Sequence, residues 1–191
     1  MAASRLIPLH INKGKTIAQC LADRTDYSQN SGKTNGGEFI SSYECDPETA
    51  DQEFLLSKRQ YLQMTGRTQE HDVIAYQIRQ SFKPGEITPE EANEIGYELA
   101  MRFTKGKHAF LVATHIDKAH IHNHIIYNST TLDCLHKFRD FRHSGWQCNG
   151  SVICSAWSMG NPLSSRSLTK SGQNAPIILN APAIVIISGR Q

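Results

Sequence analysis

The residues best suited to chemistry are packed into one decapeptide, His115-Ile-Asp-Lys-Ala-His-Ile-His-Asn-His124, which holds four of the chain's nine histidines and one acid. Imidazole is the commonest metal ligand near neutral pH. Apolar runs flank the cluster, Phe110 to Thr114 before it and Ile125 to Tyr127 after it. The pattern reads as strand, short turn, strand. Residues i and i+2 of a strand share a face, so His122 and His124 project together, with Cα atoms roughly 6–7 Å apart. His115 ends the preceding strand and reaches the same side across the hairpin. Three imidazoles from two strands make a metal site with open positions, as catalytic metals require. Asp117 and His120 fall in the turn. Asp117 can accept a hydrogen bond from a ligand's second nitrogen, and His120 reads as a turn residue. The bland alternative is a hairpin decorated with exposed histidines. Nitrogen ligands suit zinc, copper, nickel, iron or manganese; if the task is gripping phosphate, Mg²⁺ or Mn²⁺ is expected. His10, His71, His108, His136 and His143 have no comparable context.

The elements that must carry this hairpin follow from local pattern. Arg5 to Ile11 reads as a first strand, Lys15 to Ala22 as a short helix, and the Asp-, Asn-, Ser- and Gly-rich Asp23 to Gly37 as a loop. Glu38 to Glu44 alternates like a strand. Asp46-Pro47-Glu48 opens a helix whose apolar face is Phe54, Leu55, Tyr61, Leu62 and Met64, ending near Gly66. Val73 to Phe82 is a strand, broken by Lys83-Pro84-Gly85. Thr88-Pro89-Glu90-Glu91 is a capping box for a helix running to about Lys105, with Ala92, Ile95, Leu99, Ala100 and Phe103 inward. His108 to Thr114 and Ile121 to Ser129 form the hairpin, whose tight turn makes its strands antiparallel. The order β-α-β-α-β-α-β-β points to an α+β fold, a central antiparallel sheet flanked by helices.

The net charge of the 191-residue chain is only +2, and all 18 acids lie at or before Asp140. A nucleic-acid partner would therefore need a local basic groove. The five cysteines contain no C-x-x-C pair, which suggests free thiols in a reducing compartment. The N-terminus resembles no signal peptide, and the apolar stretch Ile177 to Ile187 is too short to span a bilayer. A cytoplasmic location with no membrane partner is the expectation.

With the hairpin defined, His115-x-Asp117-x₄-His122-x-His124 resembles the His-hydrophobic-His motif of conjugative relaxases of the MobA/MobL mobilisation type. Asp26-Tyr27-Ser-Gln-Asn-Ser-Gly32-Lys33 resembles the segment in which that family carries its nucleophilic tyrosine. The resemblance covers residues 4 to 145. It implies a metal site on two central strands, with Tyr27 facing it from a mobile segment. It also implies site- and strand-specific nicking of single-stranded DNA at an origin of transfer, leaving a 5′-phosphotyrosine link, together with accessory relaxosome and coupling proteins. Within that reading His115, His122 and His124 hold the cation, Tyr27 is the nucleophile and Asp117 handles protons or orients ligands. A phenol ionises near pH ~10 and attacks poorly unaided, so metal assistance fits the chemistry. Tyr27 stands in a polar stretch beside Arg24 and Lys33, which can hold phosphates. Tyr43, Tyr61, Tyr76, Tyr97 and Tyr127 sit on strands and helices and read as packing.

After Gly145 the character changes. Acids vanish, serines multiply and helical periodicity is lost. Residues 1–145 are expected to form the nuclease domain and 146–191 a weakly specified tail, its composition suggesting a shifted reading frame that leaves activity in doubt. Two alternatives stand beside a working relaxase. One is a rolling-circle replication initiator, which would carry its tyrosine after the histidines. The other is a truncated relaxase that binds metal or DNA without cutting.

Overall fold

The computed structural model describes residues 3–67 and 73–140. Five strands, β1 (Ala3–Leu9), β2 (Ile40–Tyr43), β3 (Ala75–Ser81), β4 (Phe110–His115) and β5 (His122–Asn128), form one sheet in the order β1-β3-β5-β4-β2. Every pairing is antiparallel. Helices α1 (Ile17–Ser28), α2 (Ala50–Thr65) and α3 (Pro89–Thr104) complete the expected α+β arrangement. None of the described helices is long and apolar enough to cross a membrane. Cys20, Cys45 and Cys134 are free thiols. The anticipated tail, 146–191, lies outside the described residues, as do His71, His143, Cys148 and Cys154.

Alternation along the strands divides the core between two faces. On one, Leu99, Ala100 and Phe103 of α3 pack on Ile78, Val112, Ile125 and Tyr127. On the other, Cys20 and Leu21 of α1 and Phe54 of α2 pack on Leu9, Ala75, Ala109 and Ile126. Pro8 is tolerated because β1 is an edge strand.

Two expectations need correction. The first helix does not end at Ala22 but continues through Asp23–Gly37's polar start as far as Ser28. Thr16 and Gln19 form a capping box at its start. Its polar residues then satisfy themselves locally: Thr25 Oγ1 donates to the Leu21 and Ala22 carbonyls, and Ser28 Oγ donates to the Thr25 carbonyl. The second correction concerns α2. Leu62 and Met64 are exposed, at 44% and 60%, while Lys58 is buried at 3%. Ala50, Phe54 and Lys58 follow one helical face, and Lys58 can sit there because its Nζ donates to Asn128 Oδ1 at 2.7 Å and Ser129 Oγ at 2.9 Å. The Asp46-Pro47 start opens as a 3-10 turn, Pro47–Thr49, before α2 proper.

Helix α3 approaches the sheet very closely at Gly96. A Cβ there would stand 2.5 Å from Asn123 Nδ2 and 2.9 Å from Val112 Cγ1. Asn123 is itself held from three sides, so it cannot yield. Gly96→Ala should therefore destabilise the fold by about 1–3 kcal/mol through overpacking, despite alanine's better helix propensity; denaturant unfolding measures it.

His108 is buried, and its Nδ1–H donates to the carbonyls of Asn128 and Thr130 at 2.9 and 3.1 Å. Burial holds its pKa below the ordinary imidazole value of 6.5, outweighing the two carbonyls that raise it. As pH falls through that value the unfolded chain binds a proton that the folded chain refuses, so stability is lost on acidification. His108→Gln should flatten the slope of melting temperature against pH below neutrality; an unchanged slope would remove His108 from the account.

Candidate functional site

The site is built on β4 and β5, the two strands with the most protected positions. His115 lies directly opposite His122, and Ala113 opposite His124. Period-2 alternation turns all three imidazoles to the face that carries α1 and α2. One nitrogen from each comes within 4.8 Å of the others, and all three residues are buried. The sequence-derived triad is thus brought together. His120 stays outside it, its ring tilted against that of His122 at 5.3 Å.

Each imidazole is oriented by its other nitrogen. His115 Nε2–H donates to the Ser28 carbonyl at 2.8 Å, leaving Nδ1 bare. His122 Nδ1–H points to the His120 carbonyl at 3.4 Å. His124 Nδ1 meets the Gln77 amide nitrogen at 2.5 Å, and its Nε2 has no partner. That amide can serve either tautomer: its NH₂ donates to a bare Nδ1, and its carbonyl, turned over, accepts from Nδ1–H. Buried nitrogens without partners are costly, and here two of them belong to rings whose ligand atoms lie within 4.8 Å of one another. A cation accepting their lone pairs would remove that cost, so the donor set fits a metal ion. Charge agrees. Burial, then the neighbouring imidazoles, push His124 down to about 3. Burial also lowers His115 and His122. All three are lone-pair donors at neutral pH.

Gln77 is invisible to sequence reasoning, because a glutamine on a strand carries no signal until its register against His124's strand is known. The sequence assigns Asp117 an orienting role, which it does not fill here. It is exposed in the turn and makes no hydrogen bond to the triad among the described residues. Its charge acts only through space, favouring protonation of His115 and His122 against the dominant burial.

Tyr27 lies in the last turn of α1, not in a loop, and is 50% exposed. Its ring stands edge-on to His124 at 5.7 Å and tilted to His115 at 6.1 Å. Its chain neighbour Ser28 is the residue whose carbonyl holds His115, so tyrosine and triad are tied through one peptide. Lys33 Nζ lies 4.1 Å from the Tyr27 ring centroid. The Lys33 carbonyl is itself fixed, accepting from Ile116 N at 2.9 Å. Arg24 is exposed one helical turn before Tyr27. The remaining tyrosines are packing residues: Tyr76 and Tyr127 stack at 5.2 Å in the core, Tyr61 is buried, and Tyr43 and Tyr97 pack on Phe110. Tyr127, which follows the histidines, is fully buried, so nothing among the described residues favours the tyrosine order of a replication initiator.

Comparison with known proteins gives a consistent picture. The family described as "Relaxase: MobA/VirD2-like, nuclease domain" matches residues 27–150. The chain is 49% identical over 61 residues to the "Group II intron-interrupted relaxase LtrB" of Lactococcus lactis subsp. cremoris, covering 31% of this chain and 11% of that protein. It is 41% identical over 99 residues to a "Protein rlx" of Staphylococcus aureus, covering 52% of this chain and 29% of that protein. A further "Protein rlx" is 36% identical over 118 residues, 60% of this chain and 34% of the relative. The chain therefore spans at most about a third of the length of these relatives.

The geometry sets an expectation for metal affinity. Calorimetric titration with Mn²⁺ should detect one site in the full chain. His124→Ala should abolish it, and Gln77→Leu should weaken it by about 10–100-fold, the usual cost of losing an orienting partner. Unchanged affinity in Gln77→Leu would show that the amide does not hold His124.

Proposed function

The chain belongs to the MobA/VirD2-like relaxase nuclease family, and from that premise we propose that it nicks one strand of DNA at an origin of transfer by tyrosine transesterification. The observation that carries the reading is the approach of the Tyr27 ring to His124 and His115, at 5.7 and 6.1 Å. A phosphodiester seated on the triad lies within reach of the Tyr27 hydroxyl. The phenol gives up its proton to solvent as its oxygen attacks phosphorus, the P–O3′ bond breaks, and the 3′ end leaves as a hydroxyl after taking up a proton. The 5′ side stays joined to Tyr27 as a phosphotyrosine ester. One phosphodiester is exchanged for another, so the reverse attack reseals the strand without an energy source. A divalent cation, Mg²⁺ or Mn²⁺, held by His115, His122 and His124 would withdraw charge from the phosphate and stabilise its crowded transition state.

The chain's own groups prepare this step. Ser28, His120 and Gln77 fix the three rings. Lys33 and Arg24 bring positive charge to the tyrosine's side, where phosphate oxygens need it. Asp117, at the exposed rim, handles protons through solvent. The reading implies a cytoplasmic protein acting on single-stranded DNA with accessory relaxosome and coupling proteins, its nuclease domain spanning residues 1–145.

The full chain, incubated with Mn²⁺ and single-stranded oligonucleotides tiling the DNA beside its own coding sequence, should yield a covalent adduct on a denaturing gel. In Tyr27→Phe the adduct should fall to background. An adduct of equal yield in that variant would refute Tyr27 as nucleophile, and no adduct with any oligonucleotide would leave a metal-binding, non-cutting protein.

A further inference from the structure

Strand β3 lies inside the sheet, between β1 and β5, yet carries an exposed arginine. Arg79 stands directly opposite Arg5 on β1 and directly opposite His124 on β5. Directly paired residues share a face, so the three side chains form one row. Helices α1 and α2 cover this face at its other end, around Leu9, Ala75 and Ile126. Along the Arg5–Arg79–His124 row the cover stops, and both arginines are open to solvent.

Two guanidinium groups opposite one another are destabilising, and arginine cannot shed its charge. Among the described residues neither forms an ion pair or a hydrogen bond with an acid. Arg79's charge is felt at His124, where it opposes protonation. Beyond His124 the row continues through Ala113 on β4 and Ile40 on β2, which carry no charge. Within this row the positive charge is therefore one-sided. It begins at the triad and runs outward over β3 to β1. Strands lie about 4.8 Å apart, so Arg79 and Arg5 stand roughly 5 and 10 Å from His124 along the row. A planar guanidinium with a forked set of donors matches a phosphate.

We propose that Arg79 and Arg5 bind consecutive backbone phosphates of the single-stranded DNA next to the scissile phosphate, so that one arm of the substrate leaves the triad across β3 and β1. This rests on the triad being a phosphodiester-transfer site. It assigns the unneutralised pair an occupant of opposite charge and fixes the side of the sheet on which that arm runs.

Fluorescence anisotropy of a short labelled oligothymidylate with the full chain, at a series of salt concentrations, tests it. Each phosphate contact on a single strand contributes about 0.7 to the slope of log affinity against log salt. Arg5→Gln and Arg79→Gln should each reduce the slope by about that amount and the double variant by about twice it, whereas Arg79→Lys should keep it. Arg59→Gln, which removes the same charge from the exposed side of α2, should leave the slope unchanged. Relief of the like-charge pair should leave the melting temperature of each Gln variant equal or higher. A full slope in the double variant overturns the track, and does so without touching the reaction if the wild-type chain still forms its covalent adduct. Reduced slopes in a chain that forms no adduct keep the track and remove the reaction.

Discussion

A buried amide, Asn123, is bound on three sides. Its Oδ1 accepts from Thr114 Oγ1 on β4 at 2.8 Å, and its Nδ2 donates to Gln80 Oε1 on β3 and to the Ala92 carbonyl of α3. Because His122 and His124 share one face, the residue between them must point to the other, beneath α3. The motif's name calls for an apolar residue there. Asparagine instead sets the register of three strands and the seat of a helix at a single point. A buried polar group of this kind is costly unless fully satisfied. The arrangement that satisfies it is also the one that presents both histidines to the opposite face. Gly96, whose missing side chain lets α3 reach this amide, belongs to the same constraint.

Much of this was readable in advance, and the reason is periodic. The hairpin announces itself through alternation and a short turn, α3 through a capping box and five inward residues that all prove buried. The His122–His124 pair follows from spacing, since i and i+2 must share a face, and His115 joins it through the hairpin that sets its strand against theirs. Tyr27's nearness to the histidines was legible only through family resemblance, because no local rule connects residues so far apart in the chain.

What was not readable depended on partners supplied by distant segments. Gln77 is an ordinary strand residue until β3 is set against β5. Lys58 occupies an apolar position on α2 because Asn128 and Ser129 await its ammonium. The extension of α1 to Ser28 was hidden because Thr25 and Ser28 favour loops in general, while here their hydroxyls bond back to their own helix. Arg5 and Arg79 are unremarkable in sequence and become a pair only through strand register. In each case local composition was outweighed by a tertiary contact, which is how propensity usually fails.

The bond between Ser28 and His115 joins residues 87 positions apart. The histidines themselves are gathered by a hairpin that closes over a few residues. Short loops close at small entropic cost and long ones at more, and contacts of low sequence separation tend to form first. The imidazole cluster is thus a local product of one hairpin, whereas the tyrosine arrives only when α1 docks across the sheet. The two parts of the candidate site therefore rest on contacts of very different sequence separation, and the tyrosine's part is in place only when the domain has closed.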